Sequence, residues 1–318
     1  MGKKRRKGEE EKRGLNFQRS AFSLFYFCLF FAFSAWFTVQ ISAQNLETFA
    51  AQILSGNIEQ KREALFQIRN FQTEQASRAA IPALRDENEI VRATAAFSVI
   101  YLPKAEAARV LLPNLQDKAE IVRRETAYAL GKVGDSSAVN SLLQILNRDK
   151  IFEVRNAAAV ALGGIGDVSA VDDLIKILRR KPNEEEEFLR RAAARSIGQI
   201  AQIVQTNDET VLTPENFLPD RYKDLKQPKY LYIEKQFPVF TQAANVLKTV
   251  LQNKNETDDT RREAAFSLGA IGDETAVSIL QTKLNDKDYY LIEIAEEALR
   301  KIEFIKILQD QDRKNIQN

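Results

Sequence analysis

Apolar residues recur three and four positions apart along most of the chain, which is the spacing of amphipathic helices. One such segment contains Val139, Leu142 and Leu146, and similar segments follow Ala170 and Ala276. An Ala-rich stretch precedes each of them and ends in Gly-Asp, at residues 134–135, 166–167 and 272–273. Alanine favours helix, glycine favours a helix C-terminus, and aspartate favours a turn or the next N-cap. The pattern predicts paired helices and an all-α fold.

The Ala-rich helix is an internal repeat. Its best copies are Val122–Gly131, Val154–Gly163 and Thr260–Gly269, and weaker copies start at Gln60, Val91, Leu189 and Leu291. Successive copies start 31, 31, 32, 35, 71 and 31 residues apart. One helical pair cannot bury its apolar stripe alone, so the units must stack. The sequence therefore predicts an α-solenoid of about seven helical-hairpin repeats of roughly 31 residues, covering 44–304.

The long step between copies contains an insertion at about 204–236. It carries Pro214, Pro219 and Pro228, and proline excludes a continuous helix there. Repeat spacing resumes after Phe240, so the insertion splits the fifth unit between its two helices. An ordered functional insertion and a disordered surface loop both remain open. Residues 305–318 form a polar tail.

Residues 1–43 have the composition of a membrane-targeting segment. Basic residues at 3–7 precede an uncharged run at 21–39 that contains seven phenylalanines, and Ala43 offers a signal cleavage point. The run is also long enough to span a bilayer as a helix. We therefore expect either a cleaved signal peptide or a retained signal anchor with a cytoplasmic N-terminus. Both predict an extracytoplasmic body, periplasmic or secreted, and an uncleaved chain would touch the membrane only through 21–39.

The charge balance argues against nucleic-acid binding. Residues 1–43 hold eight Lys or Arg and three Glu, so the totals of 46 basic and 44 acidic residues leave 38 and 41 in 44–318. The body therefore has a net charge of −3, without the positive excess that nucleic-acid binding needs.

Two residue types that carry much enzyme chemistry are missing from the body. The chain has no histidine, and its one cysteine is Cys28. This excludes histidine-dependent triads, histidine-ligated metals and a thiolate nucleophile in the body. We expect no catalytic residue, no metal and no cofactor.

A helical wheel places the seventh position of each Ala-rich helix opposite the core. This position holds Phe66, Phe97, Tyr128, Val160, Arg195, Phe266 and Glu297. Apolar stripes on a surface mark interaction sites, and aromatic residues with arginine dominate interface energetics. We predict that the first six bind a partner protein, with a rim of Arg124, Asn156, Arg191 and Arg262. In the alternative, the rings pack against the adjacent repeat and belong to the core.

An arginine recurs at the second position of the helix, at residues 92, 123, 155, 190 and 261. Such a row could bind phosphate. Its place at the edge of the core favours ion pairs between repeats instead, with a carboxylate such as Asp135 or Asp167.

The repeat motif resembles a known family. The pattern Val-Arg-x-x-Ala-Ala-x-Ala-Leu-Gly-x-Ile-Gly-Asp, followed by Ala-Val-x-x-Leu, is similar to the HEAT-like repeat of the phycobilisome-lyase type. The likeness is strongest at 122–147, 154–178 and 260–284 and covers most of 58–304. Members bind proteins, carry enzyme activities or act as lyase subunits that handle bilins. A related hydroxylase uses iron sites of histidine and glutamate, and without histidine none of its residues can be carried over.

We predict a non-catalytic scaffold or adaptor outside the cytoplasm, which binds an unidentified protein through the concave face of the solenoid. The alternative is an enzyme, similar to the lyases or hydroxylases of this repeat class. Fold alone does not decide between them.

Overall fold

The computed structural model describes residues 45–206 and 228–317, with side chains to residue 315. The described residues contain helices and no strand. Residues 45–55 form α1, and the other helices are α2 (Ile58–Phe71), α3 (Glu74–Ala80), α4 (Glu89–Ser98), α5 (Lys104–Leu111), α6 (Glu120–Val133), α7 (Val139–Arg148), α8 (Phe152–Ile165), α9 (Val171–Leu178), α10 (Glu187–Thr206), α11 (Ile233–Gln236), α12 (Val239–Gln252), α13 (Asp258–Ile271), α14 (Val277–Lys283) and α15 (Tyr289–Gln317).

The chain divides into two compact units, Met1–Ala64 and Leu65–Asn318. In the described part of the smaller unit, α2 begins with a reciprocal cap. The Gln60 N–H donates to Asn57 Oδ1 at 2.9 Å, and the Asn57 N–H donates to Gln60 Oε1 at 2.9 Å. Each side chain thus satisfies a backbone donor that the first helical turn leaves without a partner.

The larger unit is an α-solenoid with two layers, so the predicted fold class is confirmed. The copy-helices α4, α6, α8, α10, α13 and α15 carry the Ala-rich repeat, and each packs on the next in chain order. Helices α5, α7, α9, α12 and α14 form a second layer against them. Alanine occupies much of the copy-helix contact, including the fully buried Ala127, Ala158 and Ala193.

The Gly-Asp pairs between helices act as the spacing predicts. Gly134, Gly166 and Gly272 end α6, α8 and α13 in the left-handed conformation, with φ of 71°, 79° and 80°. Glycine adopts this conformation without the penalty of a Cβ. Each following aspartate accepts a backbone N–H two residues on, and so begins a short 3₁₀ turn.

A second set of glycines lets copy-helices approach closely. A Cβ on Gly131 would lie 2.5 Å from the Cα of Ala161, and one on Gly269 would lie 2.6 Å from the Cα of Ala298. In repeat numbering, position ten of one copy-helix contacts position eight of the next. Where position eight is serine, its hydroxyl donates to a carbonyl of the preceding copy-helix, as from Ser196 to Ala159 O at 2.8 Å and from Ser267 to Ala194 O at 2.7 Å.

The second-position arginines form ion pairs between repeats, as predicted. Arg92 binds both oxygens of Asp117 at 2.7 and 2.8 Å, and Arg123 binds Asp149 at 2.7 and 3.0 Å. The row continues with Arg155–Glu186, Arg190–Glu256 and Arg261–Asp286. We name these five pairs the arginine ladder.

The acids of the ladder differ from those expected. Asp135 and Asp167 are committed to their own 3₁₀ turns, where they accept the N–H of Ser137 and Ser169. The bridging carboxylates lie instead in the loops before the next copy-helix. Asp117 and Asp149 each also accept a backbone N–H there, from Ala119 at 2.9 Å and from Ile151 at 3.0 Å. Each aspartate therefore fixes a loop and joins two repeats.

The insertion and the tail have helical borders. Helix α10 continues to Thr206, and its last turn receives the returning chain, because the Lys229 N–H donates to Gln205 O at 2.6 Å. Residues 207–227 of the predicted insertion lie outside the described residues. The predicted tail from residue 305 continues α15, where Gln309 Nε2 donates to Leu231 O at 2.5 Å.

No helix within 45–206 and 228–317 combines the length and apolar character needed to cross a bilayer. This finding corrects the prediction of an extracytoplasmic, secreted or membrane-anchored chain, because no described helix supports a membrane span. The features on which that prediction depended, the segment 1–43, the run 21–39 and cleavage at Ala43, lie outside the described residues.

Candidate functional site

The predicted binding residues lie on neighbouring copy-helices but differ in exposure. Phe66 is 52% exposed and Phe266 is 2% exposed. The remaining four, Phe97, Tyr128, Val160 and Arg195, are half-buried. The stripe is therefore open at its N-terminal end and closed towards its C-terminal end. We call its open part, on Leu65–Phe71 of α2 and on α4, α6 and α8, the aromatic half, and its part on α10, α13 and α15 the ionic half.

Aromatic side chains dominate the aromatic half. The guanidinium of Arg69 lies over the ring of Phe97, with its Cζ 5.5 Å from the ring centroid. On the next helix, the Tyr128 hydroxyl accepts a hydrogen bond from Asn156 Nδ2 at 3.3 Å, which leaves its own proton free to donate. Val160 follows on α8. These side chains offer half-exposed apolar surface with few polar groups.

Ion pairs dominate the ionic half. Arg195 on α10 donates to Glu263 Oε1 on α13 through Nε at 2.9 Å and Nη2 at 2.5 Å. On α15, Glu297 accepts from Arg300 at 2.9 Å and lies 3.7 Å from the ammonium of Lys301. Glu263 and Glu297 are both buried. Burial lowers the pKa of Lys301, and the charge and hydrogen bond of Glu297 offset that effect only in part.

The expectation that Phe266 is an exposed binding residue is wrong. Its ring packs against α10 where Gly198 leaves room, since a Cβ on Gly198 would lie 2.9 Å from a ring carbon. The ammonium of Lys301 covers the ring from α15 at 5.4 Å from its centroid. A helical wheel drawn for α13 alone cannot show this burial, because Gly198 belongs to α10 and Lys301 belongs to α15.

The predicted rim residues are half-buried and take part in polar contacts. Arg124 binds Glu125 on its own helix at 2.9 and 3.0 Å. Arg191 binds Asp259 of the next copy-helix at 2.9 Å, and Arg262 binds both oxygens of Asp288 at 2.7 and 2.8 Å. The last two therefore help to join the ionic half together.

The binding residues predicted from position seven do not include three exposed aromatic residues at the beginnings of copy-helices. Phe188 is 61% exposed, and Tyr289 and Tyr290 are 66% and 65% exposed. Arg191 lies over the ring of Phe188 at 5.5 Å, and Arg262 lies over Tyr290 at 5.0 Å. Phe188 and Tyr290 immediately precede the first core position of their helices, which a wheel places beside position seven. Extending the count one residue before the repeat would have found them.

A surface cavity of about 290 Å³ lies away from the stripe, between α11, α12 and the turn before α14. Glu234, Lys248 and Asp273 are among its lining residues. Lys248 Nζ lies 3.2 Å from Asp273. Burial raises the pKa of Glu234, and the charge of Asp273 raises it further.

No group of three or more His, Cys, Asp or Glu side chains in the part of the chain that the structure describes is arranged to hold a metal ion. An iron with histidine ligands does not fit this chain, because the sequence contains no histidine.

The repeats match two sequence families. The family described as HEAT repeats matches residues 77–163 and 108–198. The PBS lyase HEAT-like repeat matches residues 260–286. No curated protein matches the chain.

Solved structures show distant likenesses. Human deoxyhypusine hydroxylase is 19% identical over 84% of this chain and 99% of its own, with a TM-score of 0.37. The complex of CpcE and CpcF of phycocyanin lyase from a Nostoc species is 21% identical over 84% and 94%, with a TM-score of 0.46. An engineered protein is 19% identical over 83% and 69%, with a TM-score of 0.48.

The second family match corrects the expectation that the chain is not an enzyme, because the family that matches residues 260–286 is described as a PBS lyase HEAT-like repeat. The expectation relied on the absence of histidine and of cysteine after Cys28. That absence excludes particular mechanisms, but carboxylates, arginines and lysines can still transfer protons or stabilise charge.

Proposed function

We propose that this HEAT-like repeat protein binds a partner protein along the aromatic half of its copy-helices. HEAT repeat proteins generally bind proteins, and the repeats cover much of this chain. The observation that carries the proposal is the series Phe66, Phe97 and Tyr128, exposed or half-buried at one register on three successive copy-helices.

The chemistry of this surface suits a protein interface. The rings keep apolar area in contact with water, and burying such area in a complex is favourable by about 25 cal/mol per Å². Tyr128 adds a hydroxyl proton that can donate to a partner. The ionic half is a weaker candidate, because its arginines already bind carboxylates of neighbouring helices.

Site-specific photocrosslinking tests the proposed face while the partner is still unidentified. A photoreactive phenylalanine analogue replaces Tyr128 in one preparation and Gln144, an exposed residue of α7 in the second layer, in the other. We expect a partner that crosslinks at position 128 and not at position 144. The partner is then purified, and its Kd is measured for the unmodified chain, Tyr128→Ala, Phe97→Ala and the second-layer control Leu143→Ala.

We expect both stripe variants to weaken binding by about tenfold or more, because interface rings often contribute about 2 kcal/mol or more to affinity. Leu143→Ala should leave the Kd unchanged. Thermal melting of each variant separates lost binding from lost folding. Equal crosslinking at positions 128 and 144, or an unchanged Kd for both stripe variants, would contradict the proposed face.

A lyase-type enzyme is the second candidate, and the match of residues 260–286 to a lyase repeat favours it. This repeat contains the buried Glu263, which pairs with Arg195. The amine of Lys301, on the next copy-helix, has a pKa lowered by burial. A buried carboxylate and an amine with a shifted pKa are each suited to proton transfer.

A pigment assay tests the second candidate. Attachment of pigment to phycocyanin, or its release, is followed by visible absorbance with the unmodified chain, Glu263→Gln and the exposed control Glu274→Gln. A lyase using Glu263 would lose its activity in the first variant and keep it in the second. Absence of any spectral change with the unmodified chain would count against a phycocyanin-type activity.

A further inference from the structure

Arg69 is an arginine of the aromatic half with few partners. It stands at position ten of its copy-helix, where α6, α8, α10 and α13 carry glycine. Its Nη2 donates to Thr94 O at 3.2 Å, and Nε is buried without a hydrogen-bond partner among the described residues. A guanidinium has five N–H donors, so most of the binding capacity of Arg69 is unused.

The arginine ladder gives a contrast within the same fold. Arg92, Arg123 and Arg190 each bind a carboxylate through two nitrogens. In the part of the chain that the structure describes, no carboxylate lies within ion-pair distance of Arg69. Its acidic neighbour Glu125 already accepts two hydrogen bonds from Arg124. Burial lowers the pKa of Arg69, and the negative charge of Glu125 offsets only part of this effect.

One aromatic ring contacts this cation, and a second lies one helical turn away. Phe66 precedes it by one turn on the same helix and is 52% exposed, and the ring of Phe97 lies beneath the guanidinium. Arginine and tyrosine are enriched among the residues that dominate protein–protein affinity. A carboxylate docked here would be partly screened from water by the rings, which strengthens its attraction to a guanidinium.

We propose that Arg69 receives a carboxylate of the partner, so the docking segment carries an Asp or Glu side chain next to apolar side chains. The apolar side chains cover Phe66 and Phe97, and the carboxylate supplies the counter-ion that Arg69 lacks. This inference rests on the proposed protein-binding function and names the chemistry of the partner.

A displayed library of random peptides tests the inference without a known partner. The library is selected on the full chain, and recovered peptides are synthesised with a fluorescent label. Their Kd is measured by anisotropy for the unmodified chain, Arg69→Gln, Arg69→Lys and Tyr128→Ala. Arg109→Gln is the matched control, because the Arg109 side chain is 74% exposed on α5 and its contact with Glu106 is long, at 3.9 Å.

We expect the recovered peptides to be enriched in Asp or Glu beside apolar residues. Arg69→Gln should weaken their binding by about tenfold, while Arg69→Lys should retain part of it and Arg109→Gln all of it. Replacing the peptide acid by its amide should weaken binding to the unmodified chain and not to Arg69→Gln. Melting curves confirm that each variant is folded.

The outcomes separate the inference from the proposed function. Peptides without acidic residues, or a Kd unchanged by Arg69→Gln but raised by Tyr128→Ala, overturn the role of Arg69 and leave the binding face in place. Peptides that bind the unmodified chain, Arg69→Gln and Tyr128→Ala equally well, or a selection that recovers no binding peptide, count against both.

Discussion

The aromatic and ionic halves are built from the same repeat, yet equivalent residues have opposite surroundings. Phe97 and Phe266 share position seven of their copy-helices, but Phe97 is half-buried and Phe266 is 2% exposed. The difference comes from neighbouring helices, because Gly198 makes room for Phe266 and Lys301 covers it. Exposure in a solenoid therefore depends on the adjacent repeats as much as on the position within one repeat.

The largest expected effect separates these two phenylalanines. We expect Phe266→Ala to lower the free energy of unfolding by about 3–5 kcal/mol, because it leaves a cavity in the core. Phe97→Ala should cost about 1 kcal/mol, since part of its surface is already in water. Denaturant unfolding followed by circular dichroism measures both. Equal losses would show that the two halves do not differ in packing.

The repeats were predictable from sequence because helix spacing, Gly-Asp turns and the Ala-rich motif all follow from local chemistry. The ladder arginines were also predictable, since their wheel position lies at the edge of the core. The carboxylates that pair with them were not predictable, because Asp117 and Asp135 both follow a helix. Only the packing of the helices decides that Asp117 binds an arginine of the ladder and that Asp135 caps its own turn. The burial of Phe266 and the free donors of Arg69 depend on residues about 25 to 70 positions away in sequence.

The next effect compares ion pairs of the ladder. Both side chains of Arg190–Glu256 are 2% exposed, whereas those of Arg123–Asp149 are 16% and 5% exposed. Removing one partner of a buried pair leaves the other charge uncompensated. Glu256→Gln should therefore cost about 3 kcal/mol, and Asp149→Asn less. Thermal and chemical unfolding of the two variants gives the comparison. If Asp149→Asn lost more stability than Glu256→Gln, the stronger ion pair would lie in the aromatic half.

Helix contacts should be equally strict in both halves. A Cβ on Gly131 would overlap the backbone of Ala161, and one on Gly198 would overlap Ser267 and Phe266. We expect Gly131→Ala and Gly198→Ala each to cost about 1–3 kcal/mol through overpacking. The melting temperatures of both variants test this. If Gly198→Ala left the melting temperature unchanged, the helices of the ionic half would accommodate an added methyl group more easily than those of the aromatic half.

The smallest effect concerns acid stability, which the halves should share. Burial alone would raise the pKa of Asp117, Asp149 and Asp288, but their hydrogen bonds from Arg92, Arg123 and Arg262 hold each pKa below its usual value. A carboxylate whose pKa is lower in the folded chain stabilises the fold at pH values above its unfolded pKa of about 3.9. This stabilisation is lost as the pH falls through the pKa of the folded state.

Replacing Asp117 or Asp288 by asparagine should therefore cost about 1 kcal/mol at neutral pH and almost nothing at the acid end of that window. Unfolding curves from pH 7 down to the acid transition measure the difference. A cost that does not change with pH would show that the carboxylate charge is unimportant at these joints.

The contact of position ten with position eight also governs how such a chain can grow or shrink. Gly131 faces Ala161, and Gly163 faces Ser196. Loss of residues 135–166 would bring Gly131 opposite Ser196, which is again a glycine against a small residue. It would also join Gly134 to Asp167 and so restore the Gly-Asp turn. Deletion or duplication of a whole unit would thus keep the same type of helix contact, a glycine against a small residue, and each change would alter the length of the binding face by about 8–10 Å.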